Sequence, residues 1–410
     1  MVTPAETPRR TARGKNPNRS REHNRRVVLD LLRTHGRTGR RELAELTQLT
    51  PQAVTNIIED LIAADLIVTA GRRREGRGRG QPPHEYEINP AGAFTIGVEL
   101  AVTRMVTTVV DLAGTLLYQD VTPIEESGPD ALLPAIGALV ERLRPAHPGR
   151  LMGLGLVMPG PFEIEGFSGV GPTTLPGWAG IDVAADLRER LGVPVVVEND
   201  ANAAAVGETL LGVGRDMREF CVVYFGTGIG LGLISEGRPM RGAFGNAGEI
   251  GHIVVAPGGR PCPCGQNGCL ERYASLHALR ERLADAGRSL PAEDLGSLDP
   301  EGDPVVAAWL EDAAAHLSPM ISILENVLDP ETIILSGGLP TACLDAIIDR
   351  LSFGPSVARR SDRVVPPVIR GQSGLLTAAI GAAALPMHDA ITPRLELSEL
   401  QETISKGATP

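Results

Sequence analysis

The chain has 410 residues, 42% of them hydrophobic, and a formal net charge of −11. That length suffices for two or three domains with proper cores. No apolar run approaches the ~18–20 residues of a membrane span, and the basic, polar start MVTPAETPRRTARGKNPNRS lacks the hydrophobic segment of a secretory signal. The charge is uneven: residues 1–80 hold 17 Lys+Arg against 9 Asp+Glu, a net of +8, which leaves −19 on the rest. A basic head on an acidic body points to a head that meets a polyanion.

Residues 1–20 read as a disordered basic tail. Residues 21–89 then read as three helices and a wing. NRRVVLDLLRTHG places Val27, Val28, Leu31 and Leu32 at helical spacing and stops at Gly36. GRRELAELTQL is a second short helix with Leu43, Ala44 and Leu46 inward. TPQAVTNIIEDLIAADLI starts a third, with Thr50 as N-cap, Pro51 in the first turn and Val54, Ile57, Ile58 and Leu61 as one apolar stripe. A tight turn between the second and third helices is the helix-turn-helix arrangement, whose last helix enters the major groove. Gln52, Thr55 and Asn56 fall on its outward face, and Gln and Asn can both donate to and accept from an adenine edge. LIVTA and HEYEI then read as the strands of a wing. The loop between them, GRRREGRGRGQPP, carries Arg72, Arg73, Arg74, Arg77 and Arg79, and Arg77 and Arg79 suit a narrow minor groove.

From Phe94 the texture changes to strands alternating with helices, which argues an α/β class. FTIGVELAVTRMVTTVVDLAGTLLYQ holds two strands, and LMGLGLVMPGPFE is a buried strand running into a loop. VPVVVENDANAAAVGETLLG is a strand followed by a helix, with Asn199 and Asp200 at the junction, where α/β proteins commonly face ligands. FCVVYFGTGIGLGLISEGRPM is a glycine-rich hairpin whose Gly226, Thr227 and Gly228 suit a phosphate. A helix cap is the plainer role for Asp200, and glycine-rich hairpins are common.

GHIVVAPGGRPCPCGQNGCLERYAS concentrates three of the five cysteines within eight residues. The spacing His252, Cys262, Cys264, Cys269 offers one imidazole and three thiolates, a closed tetrahedral set suited to one structural Zn2+. Such a site leaves no open position for a metal-bound water. The other two cysteines, Cys221 and Cys343, sit in apolar runs as buried thiols, so no disulfide framework is expected and the cytoplasm is the expected compartment. Glu249 and Glu271 flank the cluster and, with His252, make a polar pocket fit for sugar hydroxyls.

Together these pieces resemble the ROK family of repressors, open reading frames and kinases, over about residues 21–388. GNAGEIGHIVVAPGGRPCPCGQNGCLERYAS carries the most specific likeness, and ENDANAAAVGE, FGTGIGLGLI and LPGW (175–178) add to it. The resemblance implies an N-terminal winged helix-turn-helix followed by a two-lobed, actin-like, sugar kinase-like ATPase fold. The implied lobes are residues 90–198 and 199–370, the second with the zinc loop. A helix at 371–388 then returns to the first lobe, and residues 389–410 form a tail. It also implies sugar contacts from Asn199, Asp200, Glu249, His252 and Glu271, with one ring nitrogen of His252 on zinc and the other on the sugar.

The family's kinases open this domain with an Asp-x-Gly-Gly-Thr segment that holds ATP phosphates. Here Glu99 stands for the aspartate, and Ala101 and Val102 for the glycines. Side chains there block close approach of a phosphate to the backbone, while Asp200, at the kinase base position, survives as a vestige. The expectation is a non-enzymatic, sugar-responsive repressor of carbohydrate uptake or catabolism genes. Its partners would be double-stranded operator DNA, a sugar or sugar-phosphate effector, and further copies of itself in a homodimer or homotetramer. The alternative is a bifunctional sugar kinase that also binds DNA.

Overall fold

In the computed structural model, which describes residues 17–72, 84–101, 103–158, 177–178, 180–354, 356–360 and 362–393, the chain divides into a head ending at Glu87 and a body over Ile88–Ala390. The head opens with helix α1 (Pro17–His35), so residues 17–20 are helical and not part of a disordered tail. Its start was hidden because Ser20, Arg21 and Glu22 are exposed and leave no apolar period to read. Gly36, at φ +71°, ends the helix. A two-residue strand β1 (Thr38–Gly39) leads into α2 (Arg40–Thr47) and α3 (Pro51–Ala63). The Thr50 side chain caps α3, accepting from the Ala53 amide at 3.2 Å. Strands β2 (Ile67–Arg72) and β3 (His84–Ile88) complete a three-stranded sheet of order β1-β3-β2. Val28, Leu29, Leu32, Leu43, Val54, Ile57, Ile58, Leu61 and Tyr86 bury the core of the head, while Leu46, expected inward, is exposed.

The body holds two five-stranded sheets. The first comprises β4 (Ala93–Leu100), β5 (Arg104–Asp111), β6 (Leu116–Pro123), then helix α4 (Pro129–Leu143), β7 (Arg150–Val157), α5 (Val183–Leu191) and β8 (Val195–Glu198), in the order β6-β5-β4-β7-β8. β4, β5 and β6 run as an antiparallel meander; β7 and β8 add in parallel. Ile96 and Val98 point to α4, where Leu132, Leu133, Ile136 and Val140 share their core.

Helix α6 (Asp200–Leu211) follows, then the second sheet: β9 (Phe220–Phe225), β10 (Ile229–Ser235) and β11 (Arg238–Pro239). After the cysteine loop come α7 (Glu271–Ala274), α8 (Leu276–Asp285) and α9 (Pro304–Leu328). β12 (Thr332–Gly337), α10 (Thr341–Arg350) and β13 (Val368–Ser373) complete the second sheet, of order β11-β10-β9-β12-β13. Its inner core joins Val223, Phe225, Leu231 and Leu335 to Trp309, Leu310 and Leu317 of α9.

The last helix, α11 (Thr377–Ile391), starts later than expected, because residues 371–373 end strand β13. That segment places Arg370 and Gln372 on an edge strand, which has no apolar alternation to mark it off from the helix that follows. The helix does return to the first sheet. A Cβ on Gly155 would lie 1.8 Å from the Ala382 carbonyl, one on Gly97 2.2 Å from that of Ala379, and the Thr108 hydroxyl donates to Ala379 O at 2.8 Å. On the second sheet, Gly232 stands in the same relation to Ala201 of α6, at 2.2 Å, and a Cβ on Gly381 of α11 would lie 2.4 Å from Ala203 O. Two alanine- and glycine-rich helices in mutual contact therefore lie between the sheets, each pressed on one of them. Only missing side chains allow such approach.

Candidate functional site

On the head, Gln52 and Asn56 are exposed one helical turn apart on α3, and the Gln52 amide donates to Asn56 Oδ1 at 2.9 Å. Thr55 is half-buried, its hydroxyl returned to the Pro51 carbonyl at 2.9 Å. An open groove of about 580 Å3 between α2 and α3 is lined by Arg40, Arg41 and Thr55 among others. Arg40 sits over the Tyr86 ring at 5.4 Å, whereas Arg41 projects into solvent. These two arginines belong to the same exposed face, and the sequence reading, which looked for cations in the wing, passed over them. Arg77 and Arg79 lie outside the described residues.

In the body, Asn199 and Asp200 stand at the end of β8 and the start of α6. Asn199, not Asp200, is the cap: its Oδ1 accepts from the Asn202 amide at 2.8 Å. Asp200 is thereby left to face the second sheet, where a Cβ on Gly226 would lie 3.1 Å from its Oδ2. Beneath it, Asn202 donates to Glu198 at 3.0 Å, and Glu198 pairs with Arg241 from the strap after β11. Sequence inspection missed this pair, since nothing in it singles out Arg241.

Glu249 precedes a short 3-10 turn (Ile250–His252), and Glu271 opens α7. Glu271 accepts from the Ile229 amide at 3.3 Å, and a Cβ on Gly228 would stand 2.1 Å from Glu271 Oε2, so any side chain there would push the carboxylate aside. The hairpin glycines thus let two carboxylates close on its loop. Burial pushes Asp200 up to about 6, helped by the charges of Glu249 and Glu271. Glu249 is raised as well, by burial and by Glu271, with His252 pulling the other way. Of the residues expected around a sugar, Asp200, Glu249 and Glu271 thus lie near enough to act on one another, while Asn199 caps α6 and His252 belongs to the cysteine cluster.

The first sheet adds Glu99, at the end of β4, and Arg104, at the start of β5. Their hairpin closes through the Ala101 amide on Arg104 O at 2.9 Å. Val102 lies outside the described residues. Burial pushes Glu99 up to about 7, Arg104 opposing and Asp200 adding to the shift.

His252, Cys262, Cys264 and Cys269 gather their donor atoms within 4.8 Å of one another. Cys262 Sγ lies 3.6 Å from His252 Nδ1, and Cys264 Sγ 3.6 Å from Cys269 Sγ. Bonds of about 2.3 Å to a tetrahedral ion would set donor edges of about 3.8 Å. Gly265 and Gly268, at φ +89° and +85°, turn the chain around this point. A group of this composition could hold a metal ion. It lies between the two glutamates in the chain, since Glu249 precedes His252 by one turn and Glu271 follows Cys269 at the start of α7.

Two sheets clasping small-residue helices, with polar side chains between them, define the actin-like ATPase architecture of sugar kinases and their regulator relatives. The family model described as the ROK family matches residues 95–388, and the chain belongs to that family. It is 27% identical over 320 residues to the xylose repressor of Bacillus subtilis (strain 168), covering 77% of this chain and 82% of the repressor. It is 32% identical over 312 residues to the glucokinase of Streptomyces coelicolor, covering 71% of this chain and 97% of the kinase. Among solved structures, a ROK family transcriptional regulator, homolog of the E. coli MLC protein, superposes with a TM-score of 0.69 at 24% identity, over 91% of this chain and 98% of that one. The glucokinase match covers 71% of this chain, while the regulator fold covers 91% of it.

Proposed function

We propose that this protein is a sugar-responsive transcriptional repressor of carbohydrate uptake or catabolism genes, acting in the cytoplasm. The observation that carries the reading is one chain joining a helix-turn-helix, whose Gln52 and Asn56 are exposed on its last helix, to a body of sugar-kinase fold with Asp200, Glu249 and Glu271 close together. The B. subtilis xylose repressor, similar over most of its length, supports it. In this reading Gln52, Thr55 and Asn56 read the operator and Arg77 and Arg79 add wing contacts. Asn199, Asp200, Glu249, His252 and Glu271 hold the sugar. Sugar binding draws the two sheets of the body together, and in a homodimer or homotetramer this weakens operator binding.

The cysteine cluster is best filled by one structural Zn2+, since three thiolates and an imidazole are its preferred closed set. Zinc there would stiffen the loop between Glu249 and Glu271 and leave His252 Nε2 for the sugar, because Nδ1 is the nitrogen turned to Cys262.

The body would bind sugar without phosphorylating it. Glu99 and Ala101 occupy the hairpin where the family's kinases present an aspartate and a glycine to ATP phosphates, and a buried carboxylate there repels them. A second reading, a sugar kinase that also binds DNA, draws on Asp200 and the intact glycine hairpin, and on the 32% identity to a glucokinase. Operator binding titrated with xylose and glucose, with and without ATP, tests the pair. A sugar-dependent loss of operator affinity without turnover supports the repressor. Sustained ATP-dependent sugar phosphorylation, abolished in Asp200→Ala, supports the kinase.

A further inference from the structure

Glu99 and Arg104 sit where the family's kinases hold phosphate, yet they do more than block it. Arg104 Nη2 and Glu99 Oε1 are 4.0 Å apart, too far for a hydrogen bond. Glu99 Oε2 and Arg104 Nε are both buried without a hydrogen-bond partner. Both side chains are mostly enclosed, at 13% and 26% exposure. An acceptor on one side chain and a donor on the other, both left open where the two side chains face each other, offer a place for a ligand atom.

The surroundings say which atom. Asp200 and the buried Tyr224 lie close enough to act on Glu99 electrostatically, so the pair borders the proposed sugar site. Asp200 acts on Glu99, Glu249 and Glu271 act on Asp200, and Arg104 acts on Arg280, whose guanidinium is depressed first by its own burial. A phosphate dianion entering beside Asp200 would satisfy Arg104 and be repelled by Glu99. A hydroxyl can do both jobs at once, donating to a carboxylate and accepting from a guanidinium.

We propose that Glu99 and Arg104 form a hydroxyl-recognition subsite, and that the effector is an unphosphorylated saccharide, one hydroxyl of which bridges the two side chains. This rests on the reading of the body as a sugar-binding regulator and narrows it to one chemical class.

The test is calorimetry on the full-length protein with a panel of neutral mono- and disaccharides, including xylose and glucose, and with glucose 6-phosphate and xylose 5-phosphate. The neutral member of a pair should bind at least about tenfold more tightly than its phosphate. Glu99→Gln and Arg104→Met should each weaken the neutral sugar by about tenfold, the usual cost of losing a hydrogen bond to a charged group. Glu99→Gln should also narrow the discrimination against the phosphate, which a purely structural role would not do. Arg104→Lys, which keeps a donor, should recover part of the affinity and guards against a misfolded methionine variant. Tighter binding of a sugar phosphate, with that preference lost in Arg104→Met, would overturn the inference. So would neutral-sugar binding sensitive to Asp200→Asn but indifferent to both subsite variants, which leaves the repressor reading standing. Silence across the whole panel overturns both.

Discussion

Glu99 and Asp200 are carboxyls that the folded chain keeps protonated more readily than the unfolded one. Burial raises Glu99 to about 7 and Asp200 to about 6, against roughly 4 in an unfolded chain. Between those values the folded state binds more protons. The stabilising contribution is therefore complete below about pH 4 and lost as pH rises through 6 and 7. His388, buried and lowered to about 4 with its ring at 2.9 Å from Gly237 O, works in the opposite sense, losing its contribution as pH falls from about 6.5 towards 4. Comparing wild type with Glu99→Gln cancels the histidine. On going from pH 8 to 5.5, the melting temperature of the wild type should rise relative to that of the variant. Parallel melting profiles would show that Glu99 does not titrate in this range. At the cluster, Cys264→Ser should reduce a zinc content of about one per chain towards none, read by elemental analysis. Zinc-free wild type, freshly prepared without chelator, would contradict the assignment.

At the scale of elements, the sheets meet their central helices through glycines, and one methyl group is enough to test this. Gly155→Ala would place a Cβ 1.8 Å from the Ala382 carbonyl, so α11 must move off the sheet. A loss of about 1–3 kcal/mol by urea denaturation is expected. On the head, Gln52→Ala or Asn56→Ala should cost about 1–3 kcal/mol at one operator position and leave non-specific binding nearly intact. A uniform loss over all sequences would reassign them to the phosphate backbone. These elements were legible to different degrees. The stripe of α3 could be read directly because one face is core, and β9 and β10 because an apolar run meets a glycine-rich turn. The ligand set of the cysteine loop was legible from spacing alone, since its four donors lie close along the chain. Strand β13 was not, its edge position leaving Arg370 to pair outward with Asp345 at 2.6 Å. Nor was the subsite of Glu99 and Arg104, which exists only once the hairpin at residue 101 has closed and the second sheet is in place.

For the whole molecule, the account joins a DNA-reading head and a sugar-sensing body in a chain whose relatives include a repressor and a glucokinase. The two sheets differ in what they retain. The second carries a glycine hairpin with Asp200 and Glu271 beside it, while the first presents Glu99 and Arg104 at the β4–β5 hairpin. If the body binds sugar without turning over ATP, as proposed, it reports the sugar through its own shape. The most direct measurement is the affinity of the full-length protein for its operator, followed by fluorescence anisotropy while a neutral sugar is titrated, with sugar phosphate assayed in the same tubes. The account predicts that operator affinity falls as the sugar saturates the body, equally with and without ATP, with no phosphorylated sugar formed and no fall in Asp200→Asn. Operator affinity unmoved by any sugar, alongside steady ATP-dependent formation of sugar phosphate, would contradict it.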